Sequence, residues 1–441
     1  MSGSAGINAT VVVLGDLGRS PRMQYHARSL ADVGAEVDLV GYAGSDLPES
    51  IVRHPKIRCH LLPPRPMAFL DRLPRLLSPI VYLGRSMIVA IQLFGTLIFS
   101  IEKPDVLLLQ NPPAVPAFAV LLAIGWLRSA RVVIDWHNFS YTMVALKLSP
   151  AGLPVRLTRW YERTLGRRAA GHLCVSAAMQ RMLTREWGLP EVSVVYDRPA
   201  CAFAPPRGDE RVGLRRRISE LLALDSAVDV NRIALLVSAT SWTPDEDFDL
   251  LIDAVKSLEQ RIADFEARKE YFPALGIVIS GEGPLRRPYE ERIARLDLRR
   301  IRIRTIWLSP EKYPLLLRGA DIGLCLHRSS SRLDLPMKVA DMLGSGLPVV
   351  AFDYGACLAE RLRHGDNGLL FTTAGQLADH IVSLFKDFPS APTLDRLRKN
   401  VAAAAEPRWD AEWNAYARPA LLNIPAKMLH ARHEKGSAAR R

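Results

Sequence analysis

Several short stretches of this chain gather residue types that bind anions, orient hydroxyls or move protons. The first reads Gly15-Asp16-Leu17-Gly18-Arg19-Ser20-Pro21-Arg22 and joins an apolar run to a helix start. N–H groups at a helix N-terminus attract negative charge, so Gly15, Gly18, Arg19 and Arg22 are expected to hold a phosphate. Asp16 closes the preceding strand and is the first candidate for a general base. The glycines do not spell G-x-G-x-x-G, and no acid ends a second strand about 20 residues on, which disfavours dinucleotide binding. Asp135-Trp136-His137-Asn138 closes another strand, with His137 the second candidate base and Asn138 beside it. Gln110-Asn111-Pro112-Pro113 places two amides at a third strand end, suited to orienting hydroxyls.

The second half carries a more specific pattern. Ser238-Ala239-Thr240-Ser241-Trp242-Thr243 offers hydroxyl and N–H donors at a strand end, and Gly281-Glu282-Gly283 makes a tight strand–helix turn. The stretch His327–Val349 contains Arg328, Arg332, Pro336, Lys338, Asp341 and then Gly-Leu-Pro. A helix starting at Pro336 puts Lys338 at its positive end, where a pyrophosphate can rest. Asp341 lies three residues on, hence on the same face, and is expected to accept from ribose hydroxyls. The plain alternative is a capped helix with a surface ion pair.

Turns of this kind need parallel strands to hold them. Apolar runs at Thr10–Leu14, Glu36–Val40, Arg58–Leu62, Val106–Gln110, Arg131–Asp135, His172–Val175 and Val192–Tyr196 predict strands, with a helix over about Pro21–Val33 capped by Ser20. The alternation breaks between Pro199 and Arg232, then restarts with strands at Ile233–Ser238, Gly276–Ser280, Arg302–Trp307, Asp321–Leu326 and Val349–Phe352. Helices are expected at Asp249–Arg268, after Gly283, from Pro336 and at Gln376–Phe385. The fold class is α/β: two tandem Rossmann-like, doubly wound parallel-sheet domains with an interdomain cleft. The expected boundaries are 1–200 for the first domain, 201–231 for a linker and basic insert, 232–395 for the second domain and 396–441 for a C-terminal segment. In that last segment Trp409, Trp413 and Tyr416 share a helical face expected to pack back on the body, ahead of a basic tail.

Composition sets the limits. With 441 residues, 49% hydrophobic and 24% charged, the chain is globular and too long for one domain. Five scattered cysteines, odd in number and never spaced C-x-x-C, argue against a disulfide framework or a structural zinc site. The N-terminus lacks the charge and apolar core of a secretory signal. No apolar stretch reaches the roughly 20 residues of a membrane span; Ser86–Ile101 and Asn111–Leu127 come nearest. The net charge of +12 favours an anionic partner. Between Arg53 and Lys103, eight basic residues face two acids among Met67, Phe69, Leu70, Leu76, Leu77, Ile80 and Val81. This suits a membrane surface, through a region of about 65–127, better than nucleic acid, which is not an expected partner.

Taken together, the motifs resemble the GT-B glycosyltransferases, and more closely the chitobiosyldiphosphodolichol β-mannosyltransferase family. The stretches that carry the resemblance include VVVLGDLGRSPRMQYHA (11–27), LLLQNPP (107–113), VVIDWHNFSY (132–141), VYDRPA (195–200) and SATSWTPDEDF (238–248). GEGPLR (281–286), LLLRGADIGLCLHRSSSRLDLPMKVADMLGSGLPV (315–349) and NGLLF (367–371) extend it over nearly the whole chain. The resemblance implies a GT-B fold and transfer of mannose from GDP-mannose to GlcNAc₂-diphosphodolichol, with inversion to a β-1,4 linkage. GDP-mannose is then a co-substrate, and no cofactor or metal is needed. Carried over by residue, the donor is held by Ser241, Glu282, Gly283, Lys338 and Asp341, while the Asp16 loop and His137 face the acceptor. The implied setting is assembly of the lipid-linked oligosaccharide for N-glycosylation, on the cytosolic face of the endoplasmic reticulum membrane, peripheral or re-entrant, beside other mannosyltransferases of that assembly. In a bacterium it would be the cytoplasmic face of the inner membrane.

Two features depart from the family. Its members usually begin with a hydrophobic anchor, so membrane attachment is expected from the region before Asp105. The usual Glu-x7-Glu pattern ends here in Asp341, with Arg328 or Arg332 expected to compensate. A transferase using another polyprenyl diphosphate acceptor, a non-catalytic membrane scaffold and a nucleotide-cofactor oxidoreductase are the competing readings.

Overall fold

The computed structural model describes residues 6–63, 78–223, 229–404 and 407–423. The chain divides into two units: Met1–Tyr196 with Asp410–Arg441, and Asp197–Trp409. The first holds a seven-stranded parallel sheet in the order β3-β2-β1-β4-β5-β6-β7. Its strands are β1 (Asn8–Asp16), β2 (Glu36–Tyr42), β3 (Ile57–Leu62), β4 (Val106–Asn111), β5 (Arg131–Trp136), β6 (Gly171–Cys174) and β7 (Val192–Val194). The second holds a six-stranded parallel sheet, β10-β9-β8-β11-β12-β13. Here the strands are β8 (Ile233–Thr240), β9 (Ala274–Gly281), β10 (Ile301–Ile306), β11 (Ile322–Cys325), β12 (Val349–Phe352) and β13 (Gly368–Phe371).

The central strands are uninterrupted apolar runs because helices cover both faces of a parallel sheet. Val11-Val12-Val13 and Leu107-Leu108-Leu109 are buried on both sides. In the second unit the helix Phe248–Ala267 lays Leu251, Val255, Leu258 and Ile262 against the sheet, one residue per turn. Each such side chain contributes about 1.5–3 kcal/mol through burial. In both sheets the winding reverses beside the first strand of the unit, between β1 and β4 and between β8 and β11. A crevice opens at the carboxyl ends of the strands at such a switch point.

Several expectations need correction. Strand β7 stops at Val194, because the Tyr196 N–H donates to the Glu412 carboxylate (3.1 Å) and leaves the ladder. The edge strand β13 is an addition to the expected strands. Within 201–231 the expected basic insert is the helix Glu210–Leu221, held in the second unit by Arg215 and Arg211, which reach Asp321 at 2.9 and 2.7 Å. Ser20 stands at the N-cap of Pro21–Asp32 but its hydroxyl donates to the Asp16 carbonyl, so it caps nothing. Trp409 and Trp413 are buried, whereas Tyr416 is exposed. Residues Trp413–Ala417 wind as a π-helical turn, which shifts the angular spacing away from the α-helical stripe. The helix Ser78–Gly95 continues as Thr96–Ser100, and Val81–Ser100 is long and apolar enough, at mean hydropathy 1.6, to cross a membrane. The uncharged run Ser86–Ile101 is lengthened because the helix carries Arg85 within it as a single charge. Arg65, Met67, Phe69, Leu70, Arg72, Arg75, Leu76 and Leu77, and the basic tail, lie outside the described residues.

Candidate functional site

In the second unit, the turns after β8 and β11 converge on a charged cluster. Lys338, in the second position of the helix Met337–Gly344, makes an ion pair with Glu246, a residue that follows β8. The other Glu246 oxygen accepts from the Thr240 hydroxyl and from the Ser241 N–H (2.8 Å). Burial works against the Lys338 ammonium, but Glu246 outweighs it and raises its pKa. His327 stands at the end of β11 with Nδ1 at 3.3 Å from Asp245 and Nε2 at 3.0 Å from Asp334. Burial pulls its pKa down, the two carboxylates outweigh that, and the result is pushed up to about 9. At neutral pH it is an imidazolium, close enough to Lys338 for the two cations to oppose one another.

The other residues expected here are placed variously. Gly283 lets two loops meet: a Cβ on it would lie 1.8 Å from the Ser241 carbonyl oxygen, so any side chain would separate the β8 and β9 turns. Arg328 stacks on Phe352, its guanidinium carbon 4.4 Å from the ring centroid, and reaches Asp247 at 3.2 Å. Arg332 is exposed, with a left-handed φ of 60°. Glu282 forms an exposed ion pair with Arg286. Asp341 does not pair with Lys338: burial and the neighbouring Asp197 raise its pKa well above the usual carboxylate range. The serines of the loop are tied down, with the Ser329 and Ser331 hydroxyls both donating to Asp334.

In the first unit the centre is Asp135, which is fully buried at the end of β5. Arg22 donates to both its oxygens, at 2.8 and 2.9 Å, and to the Val195 carbonyl at 2.9 Å. Arg22 is therefore a buried structural cation rather than the phosphate ligand expected. Its place on the inner face of the helix Pro21–Asp32 points it across the sheet. His137 Nε2 lies 2.9 Å from Asp135, and His26 Nε2 lies 3.3 Å away while its Nδ1 accepts from the Trp413 indole (3.0 Å). Burial pushes the Asp135 carboxyl up, but Arg22 and the histidines hold it well below the usual range. An ionised carboxylate only accepts, so the Nε2 of His137 carries a proton directed at Asp135. The ring is 23% exposed.

Asp16 is more committed. Its carboxylate accepts from the Gly18 N–H (2.9 Å), the Ser45 N–H (2.9 Å) and the Ser45 hydroxyl (3.0 Å), which itself accepts from Arg19 (3.1 Å). Gly15 lies partly buried in β1 beside it. Asn111 is buried, contrary to a role at the surface: its amide donates to Glu162 and to the Asn138 carbonyl, each at 3.0 Å. Asn138 accepts from the Phe139 N–H (2.8 Å) and turns the chain into the helix Ser140–Ala145. Gln110 Oε1 is buried without a hydrogen-bond partner. Glu162, also buried, accepts from the Ser140 and Tyr141 N–H groups at 2.7 and 3.0 Å. Burial dominates those bonds and lifts its pKa to about 7.

Sequence reasoning missed Glu246, His327, Asp245 and Asp334 in one unit, and Asp135, His26 and Glu162 in the other. Glu246 is 92 residues from Lys338 and Asp135 is 113 from Arg22, so no local spacing announces either pair. His327 had a signal, a histidine closing the strand at a switch point.

Comparison with known proteins agrees with this geometry. Residues 18–197 match the glycosyl transferase 4-like domain, and residues 231–387 match glycosyl transferases group 1. The chain is 41% identical to an Arabidopsis thaliana protein called UDP-glycosyltransferase TURAN, covering 95% of this chain and 98% of that one. It is 38% identical to the chitobiosyldiphosphodolichol beta-mannosyltransferases of Mus musculus and Homo sapiens, over 94% and 96% of this chain and 89% and 94% of theirs. Among solved structures, Anabaena HepE with UDP and glucose superposes at TM-score 0.63 with 15% identity, covering 98% of this chain and all of that one. A sucrose-phosphate synthase from Thermosynechococcus elongatus superposes at 0.62, also with 15% identity, over 98% and 99%. Both share the GT-B fold of two Rossmann-like domains. The chain is a glycosyltransferase, and it belongs to the chitobiosyldiphosphodolichol β-mannosyltransferase family.

Proposed function

We propose that the protein transfers mannose from GDP-mannose to chitobiosyl diphosphodolichol, with inversion to a β-1,4 linkage. The family supports the reaction; the observation that carries the chemistry is His137, part-exposed at the end of β5 and oriented through Nε2 by an ionised Asp135. In this reading His137 takes the proton from the acceptor hydroxyl as that oxygen attacks the anomeric carbon. Asp16 is the less suited base, since its carboxylate already accepts from Gly18 and Ser45. As the mannosyl bond breaks, charge grows on the diphosphate of GDP. The ammonium of Lys338 and the imidazolium of His327 supply donors for it, and fixed donors are worth most where charge develops. Ser241, Glu282, Gly283, Arg328, Arg332 and Asp341 complete the proposed donor side, and Gly15, Gly18 and Arg19 the acceptor side. The reaction needs no metal cofactor. Its setting is the cytosolic face of the endoplasmic reticulum membrane, with the apolar helix Val81–Ser100 as membrane contact.

The test is transfer from GDP-[14C]mannose to a GlcNAc₂-diphosphate-phytanyl acceptor by purified protein with lipid and with EDTA. A product released by β-mannosidase and resistant to α-mannosidase supports the reading. UDP-glucose and UDP-GlcNAc run in parallel, since the Arabidopsis relative carries a UDP-glycosyltransferase name. Transfer from a UDP-sugar alone would overturn the donor assignment.

A further inference from the structure

The strand end that carries His137 continues into a helical hairpin, Ser140–Ala145 and Leu153–Gly166. Glu162 ties the two helices together by accepting from the Ser140 and Tyr141 N–H groups, and the same carboxylate accepts from Asn111 at the end of β4. The hairpin is thus fixed to the sheet through buried hydrogen bonds. On Leu153–Gly166, Val155, Glu162 and Gly166 face inward. Leu153, Leu157 and Trp160 recur at helical spacing on the opposite side and are 65%, 54% and 63% exposed. Leu146 and Leu148, at the turn between the helices, are exposed as well.

The exposed charge of the hairpin's own sequence has one sign, with Glu186 of a neighbouring segment near Tyr141. Residues 140–168 contain Lys147, Arg156, Arg159, Arg163, Arg167 and Arg168 against a single acid, Glu162, which is buried. No ion pair among the described residues involves Lys147, Arg156 or Arg163, and all three are exposed. Leucines and a tryptophan on the outward face, flanked by cations on the same helices, are the make-up of a helix that lies in the headgroup layer of an anionic bilayer. Tryptophan in particular favours that layer. The neighbouring helix Ser78–Gly95 presents Tyr82, Leu83, Met87 and Ile91 outward, and Tyr82 lies near enough to Tyr161 to influence it electrostatically.

We propose that the hairpin 140–166 is a second membrane-docking element, separate from the apolar helix, which seats its Leu153–Leu157–Trp160 ridge in anionic lipid. Docking there would place a bilayer beside the strand end bearing His137. This goes beyond the transfer reaction and does not depend on it.

The test is flotation of the full chain with phosphatidylcholine vesicles, with and without 30% phosphatidylserine, for wild type, Leu157→Glu/Trp160→Glu and Arg156→Gln/Arg163→Gln. The apolar variant is expected to lose about tenfold or more in vesicle affinity. The charge variant is expected to bind neutral vesicles as wild type does and to lose the gain from phosphatidylserine. Far-ultraviolet circular dichroism and turnover of a short-chain, detergent-dissolved acceptor should match wild type in both, since none of these side chains lies in the proposed site. Vesicle binding by the apolar variant equal to wild type would overturn the proposal, whatever happens to turnover; that outcome would leave a protein partner for the ridge. Loss of fold in Leu157→Glu/Trp160→Glu moves the same comparison to Trp160→Ser alone. Failure of sugar transfer with intact vesicle binding would count against the proposed function only.

Discussion

The guanidinium of Arg22 holds both oxygens of Asp135, at 2.8 and 2.9 Å, with both side chains closed off from solvent. Removing one partner of such a pair leaves the other charged and unpaired in the interior. Arg22→Met is expected to destabilise the first unit by about 3–5 kcal/mol, and Arg22→Met/Asp135→Asn by less than the sum of the single changes. Urea unfolding of the three variants measures this. Additive effects would mean that the pair is not coupled.

The same carboxylate orients His137. His137→Ala and Asp135→Asn are both expected to cut kcat of mannose transfer, by about 10²–10⁴ for loss of a general base, with little change in KM for the donor. Asp16→Asn should instead act through its loop, with lowered thermal stability and a smaller loss in kcat. Near-normal turnover in His137→Ala would remove that residue from the reaction.

Lys338→Met should lower kcat/KM by about 10²–10³, the range for loss of one donor to developing charge. Glu246→Gln keeps the ammonium but removes its counter-charge, so the Lys338 pKa falls and the alkaline limb of the pH–rate profile moves to lower pH. An unchanged profile in Glu246→Gln would separate the pair from catalysis.

His327 titrates at about 9 in the folded chain against an ordinary 6.5. A raised pKa means that the folded state holds the proton more tightly. Its contribution is full below about pH 6.5 and is lost as the pH rises through about 9, on the order of 3 kcal/mol in all. Thermal stability of the second unit should fall across that window, and His327→Gln should flatten the slope.

Glu162 behaves with the opposite consequence for charge. Its pKa of about 7, against an ordinary 4.5, means the folded state keeps a proton that the unfolded chain releases. Stability of the first unit is expected to decline between about pH 4.5 and 7, by an amount on the order of 3 kcal/mol. Glu162→Gln should remove the decline, at a lower overall stability because its NH2 cannot accept from the buried N–H groups that both Glu162 oxygens serve. A steeper decline in the variant would contradict the assignment.

How much of this was legible beforehand follows from the range of each interaction. Strands such as Val106–Asn111 and Arg131–Trp136 are written in consecutive apolar residues, because a strand buried on both faces needs nothing else. The turns at Asp16, His137 and Lys338 could be placed at strand ends for the same reason, and the motifs around them resembled one family closely enough to name it. The partners of those residues could not be read this way. Arg22 looked like a surface cation in a glycine-rich turn until the helix that carries it turned it inward onto Asp135. Lys338 and Asp341 share a spacing that suggests one face, yet Lys338 turned to Glu246 and Asp341 was left beside Asp197. Local pattern therefore determined which segments are strands and helices and where their polar ends fall. Tertiary structure alone decided which charges meet, because an ion pair depends on proximity in space, and burial then sets the protonation state of each partner.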